Sequence, residues 1–183
     1  MSPLEKRLND CLIVWRDSPD ARFDTAAHEA GHVHYAIKFG FTIHGFEGPH
    51  LDQSFPGVVG ASVILDPPDM SGLTINEQIH RKALIDSAGE MFARHLSNIR
   101  TPPLGGYGDF SNFLASWTSV HGSSRTPIAE RVLAALRYWK KAQKEVLNDL
   151  TDPAFCKAMR GLATWIEAQI PWGFERIVEK EAA

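Results

Sequence analysis

The stretch TAAHEAGHVHYAIKFG, residues Thr25 to Gly40, sets His28 and His32 four positions apart with Glu29 between them. Four residues of α-helix turn about 400° and rise about 6 Å, so the two histidines project from one face and their imidazoles converge on one ion. Glu29 is rotated about 100° from His28, off the ion but close to a water beside it, where a carboxylate acts as general base. Zn²⁺ suits this set: neutral imidazole and carboxylate satisfy it, and it lowers the pKa of a bound water to about 7. Composition alone gives roughly a 0.02 chance of one such motif in a chain with 8 histidines. The small residues Ala30 and Gly31 let another element close on the site. Gly31 costs about 1 kcal/mol against alanine in mid-helix, so a packing or functional reason is expected there.

Working outward, this helix is expected to start after Asp20 or Asp24, either a good cap, and to stop at Gly40, a natural left-handed terminator. From Phe41 to Asp66 short apolar runs broken by Gly and Pro replace the helical pattern. The β-branched GVVGASVIL has strand length, and a sheet of two or three strands fits. Thr74-Ile-Asn-Glu77 reads as a capping box that opens a long helix to about Ser97. TPPLGGYG, residues 101–108, is expected not to be helical, because its prolines and glycines interrupt any ladder, and the next helix is expected from about Asp109, at its N-terminal edge, to Val120. Two further helices are expected to open with proline at the first helical position, at Thr126-Pro127 and Asp152-Pro153. Before the motif, PLEKRLNDCLIVWRD places Leu4, Leu8, Leu12 and Trp15 on one face of an amphipathic helix. The fold class that follows is α+β, mainly α, with a small sheet between the histidine helix and the next long helix.

A length of 183 residues points to a single domain, residues 1–183, able to bury roughly 70% of its unfolded surface without staples. A formal charge of -3 gives no general reason to expect nucleic acid or an anionic membrane as partner. Cys11 and Cys156 are too few for a disulfide framework, and no secretory or membrane-spanning segment is legible. A cytoplasmic setting is the default expectation, with an oligomer neither required nor excluded.

A catalytic zinc needs a third protein ligand and an open fourth position. The extended H-E-x-x-H-x-x-G-x-x-H pattern is absent, because Tyr35 and Lys38 fall where it needs Gly and His. A distant carboxylate is expected instead, and the residues alone leave Glu90, Glu77 and Asp109 open. His34, His44, His50, His80, His95 and His121 lack paired spacing and read as surface or core residues; His50 and His121 are expected in loops that could border the cleft, and neither is assigned to the site.

The motif helix resembles the active-site helix of the FtsH-like zinc peptidases, family M41. IDSAGEMFARHL, residues 85–96, takes the place of that family's Gly-Gly-Arg-Ala-Ala-Glu-Glu helix, with Ala93-Arg94 where its Glu-Glu pair stands. GGYGDFSNFLASW, residues 105–117, is similar to its Thr-Gly-Ala-x-Asn-Asp-Leu segment. The resemblance covers about Thr25 to Val120 and implies a zincin-like peptidase domain, core motifs 25–120 and a C-terminal helical part 126–183, without ATPase motor or membrane anchors. It implies His28, His32 and Asp109 as zinc ligands, Glu29 as general base, and a polypeptide substrate extended along the sheet edge at GVVGASVIL. The expected activity is zinc-dependent hydrolysis of peptide bonds in unfolded chains or exposed segments. The rival expectation is a metal-binding interaction module of the same fold that has lost turnover and uses its Trp-rich C-terminal helices as a partner surface; an intact Glu29 argues against it.

Overall fold

The computed structural model describes Lys6 and residues 18–52, 57–59, 61–97, 105–121 and 127–172. The expected amphipathic helix over residues 3–17 therefore lies, apart from Lys6, outside the described residues. Helix α1 spans Pro19–Lys38. Its cap is neither Asp20 nor Asp24 but Ser18, whose Oγ accepts from Ala21 N–H at 3.3 Å. The reason is Pro19: a residue before proline is held extended, as an N-cap must be, and proline fits the first helical position. Ser18 sits accordingly at φ -121°, ψ 98°. At the other end Gly40 takes φ +84° and turns the chain out of the helix, as expected.

Among the described residues four short strands follow: β1 (Thr42–Glu47), β2 (His50–Asp52), β3 (Gly57–Val59) and β4 (Ser62–Asp66). They form two antiparallel pairs, β2 with β3 nested inside β1 with β4. The β1–β4 ladder runs from Thr42 opposite Asp66 to Glu47 opposite Ser62, with a register shift between Ile43 and Gly45. GVVGASVIL is thus two strands with different partners. Its β-branched residues continue across the break, so composition alone does not reveal it.

Helix α2 (Ile75–Leu96) opens on the expected capping box. Glu77 N–H donates to Thr74 Oγ1 at 3.3 Å, and Thr74 N–H to Glu77 Oε2 at 2.8 Å. Helix α3 spans Gly105–His121, so residues 105–108 are helical and Asp109 lies one turn inside the helix. Each glycine there weakens the helix by about 1 kcal/mol without forbidding it. Phe113, fully buried two turns on, anchors the register by burying its ring, about 2 kcal/mol. Helix α4 (Ile128–Asp149) has Pro127 at the cap rather than at the first position. Helix α5 (Pro153–Gln169) has proline first, as expected, and Asp152 Oδ1 accepts from Ala154 N–H at 2.8 Å.

Mainly helical, with its small strands set between α1 and α2, the chain has the expected class. Helix α1 packs on α2 and α5, while α2 also packs on α3 and α4. Ala26, Ala27, Ala30, Ala83 and Ala88 are all buried, so α1 and α2 meet through small side chains. Gly31 explains itself here: a Cβ on it would lie 2.5 Å from Ala88 O and 2.8 Å from Gly89 N. The other side of α3 is aromatic, with Phe110, Phe113 and Trp117 against Tyr138 and Trp139 of α4. No helix among the described residues is long and apolar enough to cross a membrane.

Candidate metal centre

Because α1 turns His28 and His32 to one side, their Nε2 atoms lie 3.0 Å apart, both rings buried. Helix α3 brings Asp109 to the same point. Its Oδ2 is 3.1 Å from His28 Nε2 and 3.6 Å from His32 Nε2. Among the described residues these three form the one group of ligand atoms placed to hold a metal ion.

Hydrogen bonding alone does not satisfy this arrangement. His32 Nδ1 lies 2.8 Å from Ile85 O. A carbonyl only accepts, so Nδ1 carries the proton and Nε2 of the neutral ring is a bare lone pair. A carboxylate also only accepts, so one proton on His28 Nε2 can serve at most one of its two neighbours. Asp109 Oδ2 is in fact buried without a hydrogen-bond partner. A cation at the centre removes the conflict. Tetrahedral zinc ligands at about 2.0–2.1 Å lie about 3.3 Å from one another, and the three edges here, 3.0, 3.1 and 3.6 Å, bracket that value. Burial acts to raise the Asp109 carboxyl, but the imidazoles of His32 and His28 outweigh it and hold the group below the usual carboxylate range. The donor set of two imidazoles and one carboxylate therefore fits a divalent metal ion, zinc among them, in composition, charge and spacing.

Close beneath the imidazoles runs α2. A Cβ on Gly89 would lie 2.5 Å from His32 Nε2 and 2.6 Å from His28 Nε2, so any larger residue displaces the rings. Sequence reasoning missed this residue. The available signal was a glycine in the middle of a long helix. One turn away on α2, the half-buried Asp86 pairs with Lys82 Nζ at 2.8 Å, and burial raises its carboxyl while Lys82 opposes the shift.

Glu29 is buried beside the three donors, and its Oε2 accepts from Val63 N–H of β4 at 3.0 Å. Val63 is paired with Phe46 across the ladder, yet its N–H points to α1, so the edge of β4 away from β1 runs into the site. Burial pushes the Glu29 carboxyl up to about 7; His32 pulls it down, Asp109 pushes it up, and the Val63 bond pulls it down.

The rival carboxylates are engaged elsewhere. Glu77 closes the α2 cap, and Glu90 pairs with Arg94 and accepts from Gln143 Nε2 of α4 at 2.9 Å. His50 opens β2 and His121 ends α3, so neither lies in the expected loop, and His34, His44, His80 and His121 have partners other than the three donors. His34 packs on Tyr35 and Phe155 with ring centroids 5.0 Å away, and burial, then Lys38, lowers its pKa. His44 pairs with Asp66 at 2.6 Å, His80 with Glu145 at 3.2 Å, and His121 stacks on Trp117. Comparison with protein-family models, with curated proteins and with solved structures finds no match for this chain.

Proposed function

We propose that the chain is a zinc-dependent metalloendopeptidase, FtsH-like in its site, that hydrolyses peptide bonds in unfolded or exposed protein segments. What carries the reading is the convergence of three acceptors, one of them an orphaned buried carboxylate oxygen, next to a buried Glu29. His28, His32 and Asp109 would hold the metal. Bound there, zinc supplies Lewis acidity, polarising a carbonyl and acidifying a water.

The chain's own residues do the rest. Ile85 O fixes the His32 tautomer and keeps Nε2 bare. Glu29 is the proton carrier. Val63 N–H holds its Oε2, which leaves Oε1 to take a proton from the attacking water and return it to the departing amine. Burial raises this carboxyl in the metal-free site; a cation held beside it would draw it back toward the carboxylate form that a general base needs. The outward edge of β4, where Val63 already presents its N–H beside Glu29, offers backbone hydrogen bonds to an extended peptide.

The test is hydrolysis of an unstructured protein such as casein. Cleavage that chelator abolishes and zinc restores, and that Glu29→Gln lacks, supports the reading. Full zinc occupancy with no cleavage of any peptide would leave the interaction module instead.

A further inference from the structure

A metal-ligating histidine almost always gives its second ring N–H to a carboxylate, carbonyl or water, which fixes tautomer and orientation. The two histidines differ in this respect. His32 has Ile85 O at 2.8 Å. His28 Nδ1 is buried with no hydrogen-bond partner.

Side chains on a helix lean toward its N-terminus, so the His28 ring covers the turn before it. That turn holds two polar residues. Thr25 spends its hydroxyl proton on Ala21 O at 3.0 Å. Asp24, four residues before His28, shares its face of α1. It is half-buried, and its Oδ1 is held by Ser97 Oγ, the residue that caps α2, at 2.7 Å. The bond to Ser97 fixes the carboxylate beside α1 and leaves Oδ2 to accept. Electrostatic coupling between Asp24 and His28 agrees with this proximity.

The geometry points to Asp24 as a positioning residue of the metal centre: its carboxylate accepts a hydrogen bond from His28 Nδ1–H through one water, and so turns a bare Nε2 toward the ion. This rests on the metal site proposed above. Asp24 then does for His28 what the Ile85 carbonyl does for His32, and the Ser97 bond ties the end of α2 to the ligand on α1.

The experiment is a zinc competition titration against a chromogenic chelator, near neutral pH, on wild type, Asp24→Ala, Asp24→Asn and Thr25→Val. Asp24→Ala is expected to weaken zinc binding by about 10- to 100-fold, the usual effect of losing such a partner. Asp24→Asn keeps an acceptor oxygen and the size of the side chain, and should lose a smaller part; it also serves if the alanine variant folds poorly. Thr25→Val should bind like wild type. In zinc-loaded protein, the ¹⁵N NMR signal of the His28 Nδ1–H should shift in the Asp24 variants while that of His32 stays put, a change that general destabilisation does not produce. Wild-type affinity in both Asp24 variants, or a loss confined to Thr25→Val, overturns the assignment while leaving the metal site intact. A wild-type protein that binds no zinc overturns the site itself and this assignment with it.

Discussion

The α1–α2 and α3–α4 contacts are built from opposite materials. Between α1 and α2 lie alanines, Gly31 and Gly89, and the backbones approach until a single added Cβ collides with a carbonyl or an imidazole. Between α3 and α4 lie Phe110, Phe113, Trp117, Tyr138 and Trp139. The first contact buries His28, Glu29 and His32, whose desolvation works against folding. The second buries Phe113 and Trp139, each adding roughly 1.5–3 kcal/mol, with Phe110, Trp117 and Tyr138 half-buried around them, and fixes the helix that delivers Asp109. Stability and chemistry are thus concentrated in different helix pairs, and α3 belongs to both.

The division can be broken from either side. Phe113→Ala should show the largest effect, a loss of about 3–5 kcal/mol in chemical unfolding. Because the ring anchors the helix that delivers Asp109, the molecules that remain folded should also bind zinc more weakly. Unchanged zinc affinity would mean that Asp109 is held independently of the aromatic contact.

Glu29→Gln should act in two directions at once. Peptide hydrolysis should fall about 100-fold or more, in line with loss of a general base. Metal-free protein should become more stable, because the glutamate carboxyl is raised from 4.5 to about 7 by burial. The folded state then holds a proton that the unfolded state has lost between those values, so stability falls as pH rises from 4.5 to 7. Neutral glutamine avoids this, by on the order of 1–3 kcal/mol well above pH 7, and the gain should vanish below pH 4.5. Thermal melts at the two pH extremes check it; equal shifts at both would remove the electrostatic cause.

Gly89→Ala should cost about 1–3 kcal/mol by overpacking and should also abolish tight zinc binding, since the new methyl occupies the space of both Nε2 atoms. A variant that retained full affinity would show that the rings have room the structure does not give them. Glu90→Gln should have the smallest effect, at most about 1 kcal/mol from the weakened link to Gln143, with zinc binding unchanged.

How far the sequence foretold this depends on how local each feature is. The histidine spacing, the Thr74 capping box, the Gly40 terminator and Pro153 are read from a few neighbouring residues, and the structure has them where local chemistry puts them. The start of α3 is different. Four residues with three glycines argue against helix, and the burial of Phe113 overrides them. Pairing of the strands was illegible for the same reason, since β3 and β4 differ in partner rather than in composition. Among the carboxylates, residue type left Glu77, Glu90 and Asp109 equal, and only a family resemblance ranked them. Gly89 is marked in the sequence only as a glycine in the middle of a long helix, and its role is invisible without the contact it makes.

The central claim is that His28, His32 and Asp109 hold one zinc ion. Anomalous diffraction at the zinc edge, on crystals of protein purified without added chelator, tests it most directly. The expected result is a single peak about 2.0–2.2 Å from His28 Nε2, His32 Nε2 and an Asp109 carboxylate oxygen, absent in crystals of Asp109→Asn. A peak that Glu90 ligates, or none at these three residues in protein supplied with zinc, would contradict it.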